Sequence, residues 1–370
     1  MKIYLIGNYP LFKSKSMELY TNLLHKILSQ YGYNVVVLKP KKILNKLNFK
    51  SIILKKYLSY IDKYFFFGLK LLKLKTNSQI HICDQSNSLL FPFIKSDKLS
   101  ITCHDLINTK KYHNLNHTKE NNFLKKIHQK LILYYLCKFK NIICVSQNTK
   151  NDLSKFTKNK KKNIKIIYNC LNKSFYRINK THKKKLLKKN SINYNYCLHV
   201  GSNVWYKNKE ALIHIFYNFL KVKNNTDQKL ILAGQKNTLQ IKKIINQLKI
   251  KKNIINIVNP SHKTLNTLYN GADCLIFPSI TEGFGWPIIE AQACGCPVFT
   301  YKKNPMKEIG KDSVFYMNPL DHKKSASIVN NQIYKNKNNM INKGFKNLNR
   351  FNQDKIFTKY INFFNKINNF

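Results

Sequence analysis

Short runs rich in Ile, Val, Leu and Phe alternate with amphipathic helical stretches along most of this 370-residue chain. Nothing else in it constrains the fold as tightly. Runs that are apolar on both faces fit strands buried in a parallel sheet, and strands separated by helices need crossover connections. In the first half, Lys2–Ile6, Asn34–Leu38 and Leu99–Cys103, together with 79–83, 141–145 and 164–168, read as strands. Residues 16–31, 119–137 and 147–156 carry helical periodicity, and Ser146 is a good N-cap for the last of them. Residues 171–193 break the rhythm; polar and lysine-rich, they read as an interdomain connection. The alternation then restarts. Strands are expected over 195–200, 229–233, 253–258, 273–277, 297–300 and 313–317, and helices over 207–222, 237–249, 262–271 and 287–294. Residues 321–369 are helical only. The expected fold class is α/β: two doubly wound, Rossmann-like domains in tandem, their carboxyl-edge surfaces facing across a cleft.

The segment 278–298, PSITEGFGWPIIEAQACGCPV, concentrates the chemistry. It follows the strand-like run ending at Phe277 and reads strand, glycine loop, short helix, strand. Gly283 and Gly285 suit a tight loop where backbone nears a ligand. Pro287 fits a helix start, Gly295 its end, and Pro297 stops it. The loop falls at the carboxyl edge of the sheet, where such folds bind ligands and where a helix N-terminus offers free N–H groups. Glu282 lies in that loop. Glu290 lies in the otherwise apolar helix, where a buried carboxylate needs partners; a ligand's hydroxyls and a buried cation are both answers.

Lys+Arg 66 against Asp+Glu 16 gives a formal charge of +50. One reading is attraction to an anionic partner; the other is compositional drift, because Lys, Asn and Ile dominate throughout and Lys far outnumbers the better phosphate-clamping Arg. No recognised nucleic-acid module is present, so no nucleic-acid partner is expected. The nine cysteines include no CxxC pair and several sit in strand-like runs, as buried thiols of a reducing compartment would. Neither a signal peptide nor a spanning stretch is expected, which points to a cytoplasmic protein. Residues 52–75 mix lysines with Tyr57, Tyr60, Tyr64, Phe65, Phe66 and Phe67, as an interfacial helix on the inner membrane face would, although a core helix with solvated lysines has the same composition.

These motifs, taken in order, resemble the retaining glycosyltransferases of family 4, a group with the two-domain GT-B fold. The signature is Glu282-Gly-Phe-Gly-Trp-Pro-Ile-Ile-Glu290, followed by Gly295-Cys-Pro297. Leu198-His-Val-Gly201-Ser202-Asn203 with Lys207-Asn208, Ile143-Cys-Val-Ser146, Thr102-Cys-His104-Asp105 and Leu268-Tyr-Asn-Gly-Ala272-Asp273 fall in the family's order. The resemblance implies an N-terminal acceptor domain over 1–175, a nucleotide-sugar domain over 176–350, and a terminal helix from Phe351 that crosses back onto the first domain. It implies transfer of a hexose with retention, from a nucleotide-diphosphate sugar whose base is left open to a glycan or lipid-linked acceptor of cell-surface polysaccharide. It also implies that Glu282 sits beside the transferred sugar and Glu290 holds the ribose. Lys207 would contact the diphosphate, with Gly201, Ser202, Asn203, Phe284 and Gly285 lining the donor, and His104 would face the reacting centre. No D-x-D motif is present, so neither metal nor cofactor is expected.

Two departures from the family stand out. Ser202 occupies a position where relatives often carry arginine, and the loop Asn8 to Glu18 has no glycine after Gly7. Two competing readings are a degenerate, non-catalytic protein of the same fold and a basic nucleic-acid- or membrane-binding protein. A phosphorylase-like relative would need a cofactor lysine in a longer chain.

Overall fold

A computed structural model describes residues 2–12, 15–47, 51–74, 77–113, 123–157, 162–189, 192–223 and 227–368. The expected helix residues 119–122, and Lys13 and Ser14 of the first loop, lie outside them. The chain divides into two compact units, residues 1–168 with 356–370, and residues 169–355.

The first unit holds a six-stranded, all-parallel sheet in the order β2-β1-β3-β4-β5-β6. Its strands are β1 (Lys2–Ile6), β2 (Asn34–Leu38), β3 (Gln79–Ile82), β4 (Leu99–Cys103), β5 (Asn141–Cys144) and β6 (Asn163–Ile166). Ser146 caps the helix Gln147–Ser154, accepting from Thr149 N at 3.1 Å. The last helix, Gln353–Asn368, lays Phe357, Tyr360, Phe363, Phe364 and Ile367 into this unit. Tyr360 donates to the Tyr20 hydroxyl at 3.1 Å, and Gln79 Nε2 donates to the Phe364 carbonyl at 3.0 Å. Phe351, expected to open that helix, instead ends the 3-10 turn Asn349–Phe351; the helix begins only after Asn352.

The second unit holds another parallel sheet, in the order β12-β11-β10-β7-β8-β9. These strands are β7 (Tyr196–Gly201), β8 (Lys229–Gly234), β9 (Ile254–Val258), β10 (Cys274–Phe277), β11 (Val298–Tyr301) and β12 (Phe315–Met317). The segment 171–193, expected as a plain connection, carries the helix Lys180–Lys189. Its charges hid an apolar contact: Leu187 packs so closely on Gly271 that a Cβ there would lie 2.6 Å from Leu187 Cδ2. One face of the sheet is covered by Leu212, Ile213, Phe216 and Phe219 from the helix Lys209–Lys223, packed with Val329 and Ile333.

Candidate functional site

In the second sheet the connections run outward from β7 to β9, then reverse to β10. The crevice between the carboxyl ends of β7 and β10 is therefore the topological switch point, the place where open α/β sheets bind ligands. Both sequence motifs of the second unit end there.

On the β7 side the strand closes at Gly201, and the chain makes a 3-10 turn, Trp205–Lys207. Asn208, left-handed at φ 53, then redirects it into the helix Lys209–Lys223. The helix expected from residue 207 thus starts two residues later, and Lys207 is freed to point from a turn. Gly201 makes room for it: a Cβ would sit 3.3 Å from Lys207 Cδ and 3.2 Å from His199 Nε2. Gly234, φ +148, lies so near the Gly201 carbonyl that any side chain would collide with it. Half-buried Ser202 adds no charge to this turn. Asn203 braces it, donating from Nδ2 to the Lys236 carbonyl at 2.7 Å and from its backbone N–H to Gln235 Oε1 at 2.8 Å. Its Oδ1 accepts from Lys209 Nζ at 2.7 Å.

On the β10 side, Ile280 N donates to the Tyr206 carbonyl at 2.8 Å, which stitches the two loops together. Lys207 Nζ then lies 2.8 Å from Glu282 Oε1, with the two side chains only 13% and 9% exposed. The contact is an ion pair without hydrogen-bond alignment, for that oxygen has no hydrogen-bond partner. Lys207 Nζ also sits 4.9 Å from the centre of the Phe277 ring. Beyond Glu282 the loop buries Phe284 edge-on against Trp286 and Phe351. Gly285, φ 104, turns the chain into the helix Trp286–Ala293, with Pro287 in its first turn. The helix ends as expected: Gly295, φ 69, donates to the Gln292 carbonyl and Cys296 N to the Ala291 carbonyl, a Schellman motif. Half-buried Glu290 accepts from the Tyr269 hydroxyl at 2.9 Å. Desolvation pushes its carboxyl up to about 7, against the lowering effects of that hydrogen bond and of the Lys207 charge. One lysine therefore acts on both glutamates.

The structure adds three groups that sequence reasoning missed. Lys209, buried by its neighbours and repelled by Lys207, has its ammonium pushed down to about 8. His199, fully buried, gives Nδ1–H to the Ile276 carbonyl at 3.0 Å; burial lowers its pKa to about 3, so it is neutral. Tyr269 orients Glu290. His199 and Tyr269 stood in segments flagged beforehand, but their partners are invisible without the fold. Among the described residues no three His, Cys, Asp or Glu side chains gather as metal ligands do.

His104 belongs to the first unit, directly after β4. It is 6% exposed, stands edge-on to Tyr20 with ring centres 4.6 Å apart, and pairs through Nε2 with the Cys83 carbonyl at 2.9 Å. That carbonyl fixes the tautomer with hydrogen on Nε2, and desolvation holds its pKa below the usual histidine value. The switch point of the first sheet lies between β1 and β3. There Asn8 Nδ2 donates to Asp84 Oδ2 and Asn87 Nδ2 to Asn8 Oδ1, each at 2.6 Å. A side-chain network thus occupies the loop that lacks a glycine pair.

The two parallel sheets and the loop geometry define a GT-B protein. Residues 179–346, all within the second unit, match the model of the glycosyl transferases group 1. The chain is 30% identical over 211 residues to the O-antigen chain mannosyltransferase RfbU of Salmonella typhimurium, covering 56% of each chain. It is 28% identical over 178 residues to an uncharacterized glycosyltransferase of Methanocaldococcus jannaschii, covering 47% of this chain and 45% of that one. The matches thus span about half the length of these curated relatives. Among solved structures, HepE of Anabaena in complex with UDP and glucose aligns over 98% of both chains at 17% identity, with a TM-score of 0.73. The sucrose-phosphate synthase of Thermosynechococcus elongatus aligns over 99% of this chain and 98% of that one at 16% identity, with a TM-score of 0.78.

Proposed function

We propose that this protein is a retaining, metal-independent glycosyltransferase. It moves a hexose from a nucleotide-diphosphate sugar to a glycan or lipid-linked acceptor in cell-surface polysaccharide or lipopolysaccharide biosynthesis. The observation that carries this reading is the nearly buried Lys207–Glu282 pair at the β7/β10 switch point, with Glu290 one helix turn beyond the glycine loop. The family-model match over residues 179–346, a mannosyltransferase relative and a structural neighbour holding UDP and glucose support it.

The bond from the anomeric carbon to the phosphate oxygen breaks, the diphosphate leaves with the electron pair, the acceptor hydroxyl oxygen takes its place, and the hydroxyl proton passes to the departing diphosphate. Negative charge grows on phosphate and must meet prepositioned cations and N–H dipoles. Lys207 and the helix starting at Trp286 supply them. Glu282, 2.8 Å from Lys207 Nζ, keeps the lysine charge compensated. An arriving diphosphate takes over the ammonium, which frees Glu282 to accept from hydroxyls of the sugar. Glu290, already oriented by Tyr269, accepts from the ribose. His104, as a neutral imidazole, serves the reacting centre from the acceptor side. The product's anomeric configuration, read by proton NMR in the presence of EDTA, tests the proposal. An unchanged configuration with turnover kept is expected; inversion, or loss of turnover restored by Mg²⁺, would overturn it.

The same reading includes peripheral attachment to the inner membrane face. No described helix is long and apolar enough to cross a membrane. Yet Ile53, Tyr57, Ile61, Phe65 and Leu69 are each at least 42% exposed. A four-residue step overshoots an α-helical turn; the π-helical turn Ile61–Phe66 offsets that drift and keeps the stripe on one face. Phe123, Leu124, Ile127, Leu131 and Tyr134 form a second exposed stripe on the helix Phe123–Leu136. His128 joins the two helices, its ring centre 5.2 Å from that of Tyr60 and Nε2 3.4 Å from the Tyr64 hydroxyl. Apolar stripes flanked by Lys55, Lys56, Lys70 and Lys73 suit an anionic bilayer. Co-sedimentation with anionic vesicles should fall in high salt and when those four lysines become Gln. Equal binding to neutral vesicles would refute attachment by charge.

A further inference from the structure

A groove of about 850 Å³ opens in the first unit, beside the carboxyl ends of β1 and β2, and no residue discussed as catalytic lines it. Its rim carries Lys39, Lys41, Lys42, Lys46 and Lys70, with His25 from the helix Lys15–Gln30. Val37, Pro40 and Ile43 make its wall apolar. Five ammonium groups around one concavity repel one another, and among the described residues no carboxylate lines the groove. Lys39 Nζ has Glu18 Oε1 3.5 Å away, on an exposed face.

The groove is built rather than incidental. Asp62, fully buried, ties down the turn that bears Ile43 and Lys46: it accepts from Leu44 N at 2.8 Å, from Asn45 Nδ2 at 3.2 Å and from the Tyr9 hydroxyl at 2.7 Å. That one carboxylate joins the 39–46 loop, the β1 exit and the helix that continues to Lys70. Gly7, at the end of β1, leaves room for the Lys39 stem; a Cβ there would lie 3.2 Å from Lys39 Cγ. Cations held on fixed elements around an apolar wall match a phosphate or diphosphate group carried on a less polar body.

We propose that this groove binds the phosphate-bearing end of the acceptor, which deepens the acceptor side of the function proposed above and rests on it for the word acceptor. The phosphate can belong to a soluble phosphorylated glycan or to a lipid headgroup; the chemistry recognised is the same.

The test is a lysine-acetylation footprint of the full chain read by mass spectrometry, with inorganic pyrophosphate as the soluble probe and anionic phospholipid vesicles as the other. Lys242, Lys243 and Lys252, exposed in the second unit, report protection by net charge alone. With pyrophosphate at about ten times its Kd, Lys41, Lys42, Lys46 and Lys70 should acetylate about tenfold more slowly while the three reporters are unchanged. In the Lys41→Gln, Lys42→Gln, Lys46→Gln variant, protection of Lys70 should vanish. Protection by pyrophosphate alone assigns a soluble phosphate; protection by both probes assigns a headgroup. Equal protection of groove and reporter lysines, or none, overturns the proposal. Failure of the donor reading would show separately, as absent protection at Lys207 with the groove still responding.

Discussion

Removing Lys207 strands Glu282, and the consequence can be sized. At 2.8 Å, with an effective dielectric of about 20, the attraction between unit charges is about 6 kcal/mol before desolvation is subtracted. Breaking a buried pair by deleting one partner costs about 3–5 kcal/mol, because the survivor stays buried without compensation. The residual exposure of roughly a tenth on each side chain moves the expectation to the lower end, about 3 kcal/mol for Lys207→Ala. The double replacement Lys207→Met with Glu282→Leu strands nothing and should cost at least about 2 kcal/mol less than the sum of the two single changes. Urea denaturation followed by tryptophan fluorescence is the suitable assay, since both tryptophans, Trp205 and Trp286, lie in the second unit and flank the pair. Additive costs in that cycle would mean that the two charges are not coupled, and the picture of Glu282 holding the lysine until a diphosphate arrives would fail.

Other consequences follow from single residues. The folded-state pKa of Glu290 is raised from 4.5 to about 7, so between those values the native chain holds a proton that the unfolded chain releases; wild type should lose stability relative to Glu290→Gln as pH rises through that window, and parallel pH–stability curves would refute the shift. Gly234→Ala places a methyl group against the Gly201 carbonyl, at a φ that L-residues rarely adopt; it should cost about 2–4 kcal/mol in the second unit, whereas an unchanged urea midpoint would mean that the strands' close approach is not required. Lys207→Ala and Glu282→Ala should each remove most transfer at temperatures where the second unit is still folded, and near-wild-type turnover in both would sink the site assignment.

The strand and helix alternation was legible because buried parallel strands and their crossover helices announce themselves locally. Strand starts and ends shifted by only a residue or two, as at Tyr196–Gly201 against the expected 195–200. Glu282, Gly285 and Glu290 were legible because one short segment contains strand, loop and helix together. What stayed hidden depends on distant partners. Lys207 and Glu282 stand 75 positions apart, and only the parallel order β10-β7 brings their loops side by side. Tyr269 meets Glu290, and Leu187 meets Gly271, for the same reason. The helix Lys180–Lys189 was masked by charge: lysines outnumber its two leucines, so its apolar face is narrow. Asn203, which the resemblance puts beside the donor, braces the neighbouring loop with its side chain, a partner the sequence does not announce.

The central claim, that the β7/β10 switch point holds a nucleoside diphosphate, is tested most directly by calorimetric titration of the purified chain with UDP, GDP and ADP in the presence of EDTA. One nucleotide should bind, and Glu290→Gln should weaken it at least about tenfold, the loss of about 1.4 kcal/mol expected when a ribose hydroxyl gives up a charged acceptor. Heat of binding from none of the three, or equal affinity in wild type and Glu290→Gln, would contradict the account.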